Sequence, residues 1–164
     1  MNAAILICTI VSLLPYTLAA AVESPFVGSI LAPMEGRVLS SGEIFPFTYQ
    51  TRNWCEQDYT QFKVSLVHAS DAPTFSDVTS SDGTLKNAIW DFGTFTIANF
   101  PGIPAQGISP PTTLTFPNDI GVESSDQLYL AVSDVFLSCP GHIVEEIGVT
   151  SVPITFSPQE PARR

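Results

Sequence analysis

The chain has 164 residues, enough for one domain, and only 13% of them are charged, against roughly 25% in an average soluble protein. That charged set is lopsided, with 16 acids against 6 bases, a net charge of −10 and a pI near 4.3, so the chain lacks the basic footprint that nucleic-acid binding needs. A hydrophobic fraction of 45% argues equally against a wholly disordered chain.

Residues 3–14 form an uncharged apolar run that Pro15 ends, and Thr17-Leu18-Ala19-Ala20-Ala21 supplies the small residues that a signal peptidase reads. A cleaved signal over residues 1–21 is expected, with cleavage before Val22; cleavage after Ala19 is the rival register. At ~12 residues the run is too short for a membrane span, which needs about 20. The expected product is secreted and extracellular, with one domain over residues 22–157 and a flexible tail over 158–164. That tail is polar where a lipid-anchor signal would be apolar, so no membrane anchor is expected. Cys8 leaves with the signal, and Cys55 and Cys139 then form an even pair in an oxidising compartment. A bridge between them closes a loop of about 84 residues, worth on the order of 4 kcal/mol in the chain-entropy picture. A metal pair or a thiol nucleophile is the competing reading, and the wide spacing without C-x-x-C weighs against both.

After residue 21 no long stretch keeps apolar residues at helical spacing without Pro or Gly breaking it, and short alternating runs recur instead. Residues 27–31 predict a strand ended by Pro33 and Gly36, and Val38-Leu39 a short edge piece. Residues 44–51 put Phe45, Phe47 and Tyr49 on one face, with Pro46 marking an edge or a bulge because proline has no N–H to donate. Residues 61–69 set Phe62, Val64 and Leu66 against Lys63 and Ser65. Residues 70–86 read as a polar connection with a turn at Asp82-Gly83. Residues 88–97 offer Ile89, Phe92 and Phe95 to the core, 101–111 form a Pro/Gly loop, and 114–116 a short strand. Residues 126–137 alternate again through Leu128, Leu130 and Val132, and 143–156 supply a last strand broken near Pro153. Seven to nine short strands in one domain predict an all-β fold, an antiparallel immunoglobulin-like β-sandwich.

One stretch carries a family resemblance. Ile30-Leu31-Ala32-Pro33-Met34-Glu35-Gly36, then Gly42, then Phe45-Pro46-Phe47-Thr48-Tyr49 resembles the opening of the immunoglobulin-like domain of Ser-Thr-rich fungal cell-surface proteins, the Kre9/Knh1-like group. The whole chain is similar to small secreted proteins of filamentous, mushroom-forming fungi. The resemblance implies an extracellular β-sandwich near wall glucan and no catalytic residues. The chain departs from the family in lacking a long Ser/Thr-rich stalk.

Candidate chemistry is sparse. His68 and His142 are too far apart in sequence to suggest a copper or zinc site, and no G-x-S-x-G elbow marks a nucleophile. Among the acids, Glu145 and Glu146 would face opposite sides of a strand, and Asp134, Asp126 and Glu123 read as solubilising groups near strand ends. Asp71, Asp77 and Asp82 in one loop, and Asp119, Glu123 and Asp126 in another, could offer oxygens to calcium but match no EF-hand spacing. No cofactor, no metal and no catalytic residue is expected. Trp54, Tyr59 and Trp90 are the candidates for carbohydrate binding, because flat rings stack on sugar faces at low entropic cost; the competing reading packs Trp54 on the disulfide and Trp90 in the core. The reading that follows is a non-catalytic binding or wall-associated module whose partner is a wall polysaccharide or another extracellular protein. A secreted hydrolase or an effector-like protein-binding domain is the alternative.

Overall fold

The computed structural model describes residues 21–52, 56–137 and 144–158, and these build an all-β sandwich. The signal over residues 1–21 and the tail over 158–164 therefore fall almost wholly outside the described residues, as do Cys55, Cys139, Trp54 and His142.

One layer is a sheet in the order β1 (Val22–Glu23), β10 (Glu145–Phe156), β9 (Leu128–Leu137), β6 (Tyr59–His68), β7 (Ala88–Ala98). The other is made of short strands: β2 (Ser29–Ala32) pairs with β5 (Thr48–Gln50), and β4 (Ile44–Pro46) with β8 (Thr113–Thr115). The core lies between them. Phe45, Phe47 and Tyr49 descend from one layer onto Phe62, Val64 and Leu66 of β6 and Leu128, Leu130 and Val132 of β9, all buried. Period-two alternation explains this, since every second side chain of a strand points to the same face. Each large side chain buried this way contributes on the order of 1.5–3 kcal/mol.

Three details differ from the sequence expectation. The described strands number ten, partly because the stretch 44–50 changes partner midway: the Phe47 N–H donates to the Thr112 carbonyl (2.9 Å), after which the chain pairs with β2. The main sheet is mixed, not purely antiparallel. The outer edge of β10 takes two short parallel partners end to end, β1 along Glu146 and Ile147, and β3 (Arg37–Leu39) along Ile154 to Phe156. Neither follows β10 through a hairpin, so nothing forces them antiparallel. Finally, β10 runs unbroken through Pro153. The Pro153 carbonyl accepts from the Gly36 N–H (2.9 Å) on the outer edge, so its ring nitrogen faces that same edge and no rung to β9 is lost.

The segment 70–87 is also more than a polar connection. It lies across the outer face of the main sheet, where Val67, Leu85 and Ala131 form a second, smaller core with Ala69, Val78 and Val149 around it. Its Asp82-Gly83 turn sits so close to β9 that a Cβ on Gly83 would stand 2.8 Å from that of Ser133.

Candidate functional site

The edge strand β7 positions the only candidate ring that the described residues leave half-exposed. Its register against β6 slips twice: Val64 faces Gly93 but Ser65 faces Asp91, and Leu66 faces Trp90 but Val67 faces Ala88. Phe92 and Ile89 are the extra residues, and each packs against the core. A bulge re-aims the side chains beside it. Trp90 and Asp91, caught between the two, remain outside, with Trp90 45% exposed. The reading that buried Trp90 in the core is corrected by this finding. Gly93 takes φ +124°, and its N–H donates to Asp91 Oδ1 (2.8 Å), which helps to fix the carboxylate that meets Lys63.

Below Trp90 the surface forms a depression of about 250 Å³ lined by Lys63, Ser65, Thr84, Ala88, Ile89, Trp90 and Asp91. Lys63, on β6, is its electrostatic centre. The ammonium donates to Thr84 Oγ1 (2.8 Å) and Asp82 Oδ2 (3.1 Å) and pairs with Asp91 Oδ2 (3.4 Å). Burial by itself would lower the Lys63 pKa, but the Asp82 hydrogen bond and the charges of Asp91 and Asp82 outweigh it, and the net shift is upward. Asp82 is held far below the ordinary carboxylate range, first by the Ser80 and Thr84 hydroxyls, with Lys63 adding to them. The lysine thus ties the 70–87 segment to the sheet and one wall of the depression to the other.

Tyr59 does not join Trp90. It starts β6, whereas Trp90 stands opposite Leu66, so the two are about 23 Å apart along the strand at ~3.3 Å per residue. The Tyr59 hydroxyl is taken up by the Pro104 carbonyl (2.8 Å). A wider hollow of about 360 Å³ lies there, lined by Glu56, Gln57, Asp58, Tyr59 and Leu137. Gln57 Nε2 donates to the Leu137 carbonyl (2.7 Å), which brings together the neighbourhoods of Cys55 and Cys139; the cysteines themselves, with Trp54, lie outside the described residues.

Of the six acids that could offer oxygens to calcium, three are shown holding their own turns. Asp77 accepts from the Thr74 N–H (2.9 Å), Asp126 from the Glu123 N–H (2.8 Å), and Asp82 is held in its own turn. Among the described residues no three His, Cys, Asp or Glu side chains converge as a metal site would require. His68 stands at the exposed rim, 3.8 Å from Asp126.

Asp134 contradicts the expectation of a surface acid near a strand end. It sits within the β9 ladder on the inner face, opposite Phe62 and Gly148, with 0% exposure. Oδ2 accepts from the Gly28 N–H (3.0 Å) and from the Tyr49 hydroxyl, while Oδ1 is buried without a hydrogen-bond partner. Burial pushes its pKa up to about 6, against the opposing pull of the Tyr49 and Gly28 hydrogen bonds. The Tyr49 phenol is in turn raised far above its ordinary range by burial and by the Asp134 charge. Such a carboxyl has the proton affinity of a general acid or base, yet it is sealed from any solvent-borne substrate. The sequence signal for it was available: residue 134 continues the inward parity of Leu128, Leu130 and Val132.

Comparison with known proteins returns no match among family models, curated proteins or solved structures. Among the described residues no helix is long and apolar enough to cross a membrane.

Proposed function

We propose that this chain is a secreted, non-catalytic binding module that attaches to wall polysaccharide through the Trp90 depression. The observation that carries the reading is a half-exposed indole beside a hollow lined with charged and hydroxyl groups. A sugar offers an apolar face for the ring and hydroxyls for the polar rim, and an aromatic with a few placed polar groups is the usual composition of a ligand site. The carboxyl whose pKa is pushed up toward neutrality, Asp134, lies buried in the core on the other side of the main sheet from this hollow. Retention on insoluble β-glucan and chitin is the test. The wild-type chain is expected to be retained on at least one polymer and Trp90→Ala to wash through, with both proteins melting at the same temperature. No retention of the wild type on either polymer would end this reading.

A further inference from the structure

Resting on that reading, we infer that the chain carries a second polysaccharide contact, the outer face of the small layer, and that this face takes the surface of a packed, uncharged polymer. The face is built by alternation. In the run 44–50, Phe45, Phe47 and Tyr49 point into the core, so Ile44, Pro46, Thr48 and Gln50 point outward, and all four are exposed. The row they form is about 20 Å long at ~3.3 Å per residue. β8 flanks its first half, setting Thr115 opposite Ile44 and Thr113 opposite Pro46. β2 flanks its second half, setting Ser29 opposite Gln50. Directly opposed residues share a face, and these three are exposed as well.

Two properties set this face apart. The first is charge. The four strands that make it contain no Asp, Glu, Lys or Arg, and neither does the stretch from Phe92 to Asn118 that leads into and out of β8. Glu43, which precedes Ile44, is tied to Arg37 (2.9 Å). The segment 70–87, which covers the other side of the sandwich, carries Asp71, Asp77 and Asp82. A chain of net charge −10 thus keeps one face neutral. The second property is free hydrogen-bonding capacity. Thr60, Ser80 and Thr84 direct their hydroxyls to partners within the chain. Among the described residues no such bond engages the side chains of Ser29, Thr48, Gln50, Thr113 or Thr115.

A neutral sugar polymer matches both properties. Its hydroxyls donate and accept as those of threonine do. Its C–H surfaces meet the threonine methyls, Ile44 and Pro46 without stranding a charge. A protein partner matches less well, because protein interfaces are enriched in Tyr, Trp, Phe, Met and Arg and depleted in Ser, and none of the enriched types stands among these outward residues. The strand backbone already fixes the groups, so contact orders little. They are spread over strands ~4.8 Å apart; a single sugar chain along one row leaves the next unmet, whereas chains packed side by side meet both.

The test makes two measurements on the full chain: retention on insoluble β-glucan and chitin, and titration with soluble oligomers of the same sugars. Thr48→Glu with Thr113→Glu, and separately Thr48→Lys with Thr113→Lys, place charges where the face has nothing to pair them. Both combinations are expected to lower retention at least about tenfold and to leave oligomer binding at the wild-type value. Gln50→Glu, close in shape and differing in charge, should lower retention in the same way, so the result does not hang on how the threonine variants fold. Thr48→Ser with Thr113→Ser, which keeps the hydroxyls, should be retained like the wild type. Trp90→Ala should weaken both measurements. Retention unchanged by the charged variants overturns the inference and leaves the Trp90 reading standing. Loss with one sign of charge and gain with the other would be a long-range response to a charged polymer and overturns it too. So does a wild-type dimer that the charged variants convert to monomer in sedimentation, since the face would then belong to a second copy. A wild type retained on neither polymer ends the polysaccharide reading, and this inference with it.

Discussion

Replacing Asp134 by Asn should remove a pH dependence of stability that runs opposite to ordinary acid denaturation. In the fold the carboxyl titrates at about 6, against 3.8 for the free group. The folded state therefore holds a proton that the unfolded chain releases between those values, and stability falls as pH rises through that window. Below pH ~4 the group is neutral in both states and its contribution is fully present; above pH ~6 it has been lost. The difference of about two pH units corresponds to about 3 kcal/mol. About 2 kcal/mol of this remains at pH 4.5, so with a urea m-value of ~2 kcal/mol/M the wild-type midpoint should drop by ~1 M between pH 4.5 and 7.5. Asp82 and Glu43, whose carboxyls are lowered by their partners, act in the opposite sense but at or below their ordinary values of 3.8 and 4.5, so mainly below the range from pH 4.5 to 7.5. Urea melts followed by fluorescence at half-unit pH steps are the assay. Asp134→Asn should flatten the profile above pH 4.5, and Tyr49→Phe should steepen it, since the phenol is a donor that favours the ionised form. Parallel profiles for wild type and Asp134→Asn would refute the argument, because the slope would then belong to other groups.

Two further outcomes follow from close contacts. A Cβ on Gly28 would stand 2.5 Å from the Gln50 carbonyl oxygen and closer still to the Tyr49 hydroxyl, so Gly28→Ala should destabilise by about 1–3 kcal/mol or more, read as a lowered urea midpoint at pH 4.5 as well as at 7.5. We also propose the Cys55–Cys139 bridge, because the Gln57–Leu137 hydrogen bond brings the flanking residues together. Intact mass of the secreted chain should show both thiols oxidised and the first 21 or so residues missing, and two free thiols would refute the pairing.

Much of the sandwich was legible because alternation is a local property. Phe45-x-Phe47-x-Tyr49, Phe62-x-Val64-x-Leu66 and Leu128-x-Leu130-x-Val132 each need only their own strand to define a face, and all nine side chains are buried as read. Asp134 was misplaced where residue type was allowed to override that same parity. The parallel pairing of β1 and β3 with β10 was not legible, since it depends on which distant segments reach one edge. The cover over the outer sheet face was hidden for a related reason. Val78 and Leu85 are isolated apolar residues in a run of Ser, Thr and Asp, and their partners Val67, Ala131 and Val149 come from three different strands. On β7 the clue was present but not used: Ile89, Phe92 and Phe95 are spaced by three, a period no flat strand satisfies, and the two bulges are what reconcile it with burial.

Those bulges connect the architecture to the site. β7 closes the main sheet on one side, and an open edge is a template for pairing with another chain unless it is twisted, charged or covered. The far half of β7 is partly covered, because the Thr96 N–H donates to the Ile108 carbonyl (2.8 Å) in the Pro/Gly loop. The near half has no such cover among the backbone hydrogen bonds described; it carries the two irregularities, Gly93 in a positive-φ conformation, and the exposed charge of Asp91. Each of these obstructs the addition of another strand. The same features turn Ile89 and Phe92 inward and leave Trp90 and Asp91 exposed at the edge. Edge protection and the placing of Asp91 therefore draw on one local distortion, and a substitution that regularised the edge, such as replacing Gly93 by a β-former, would be expected to displace Asp91 from Lys63 as well.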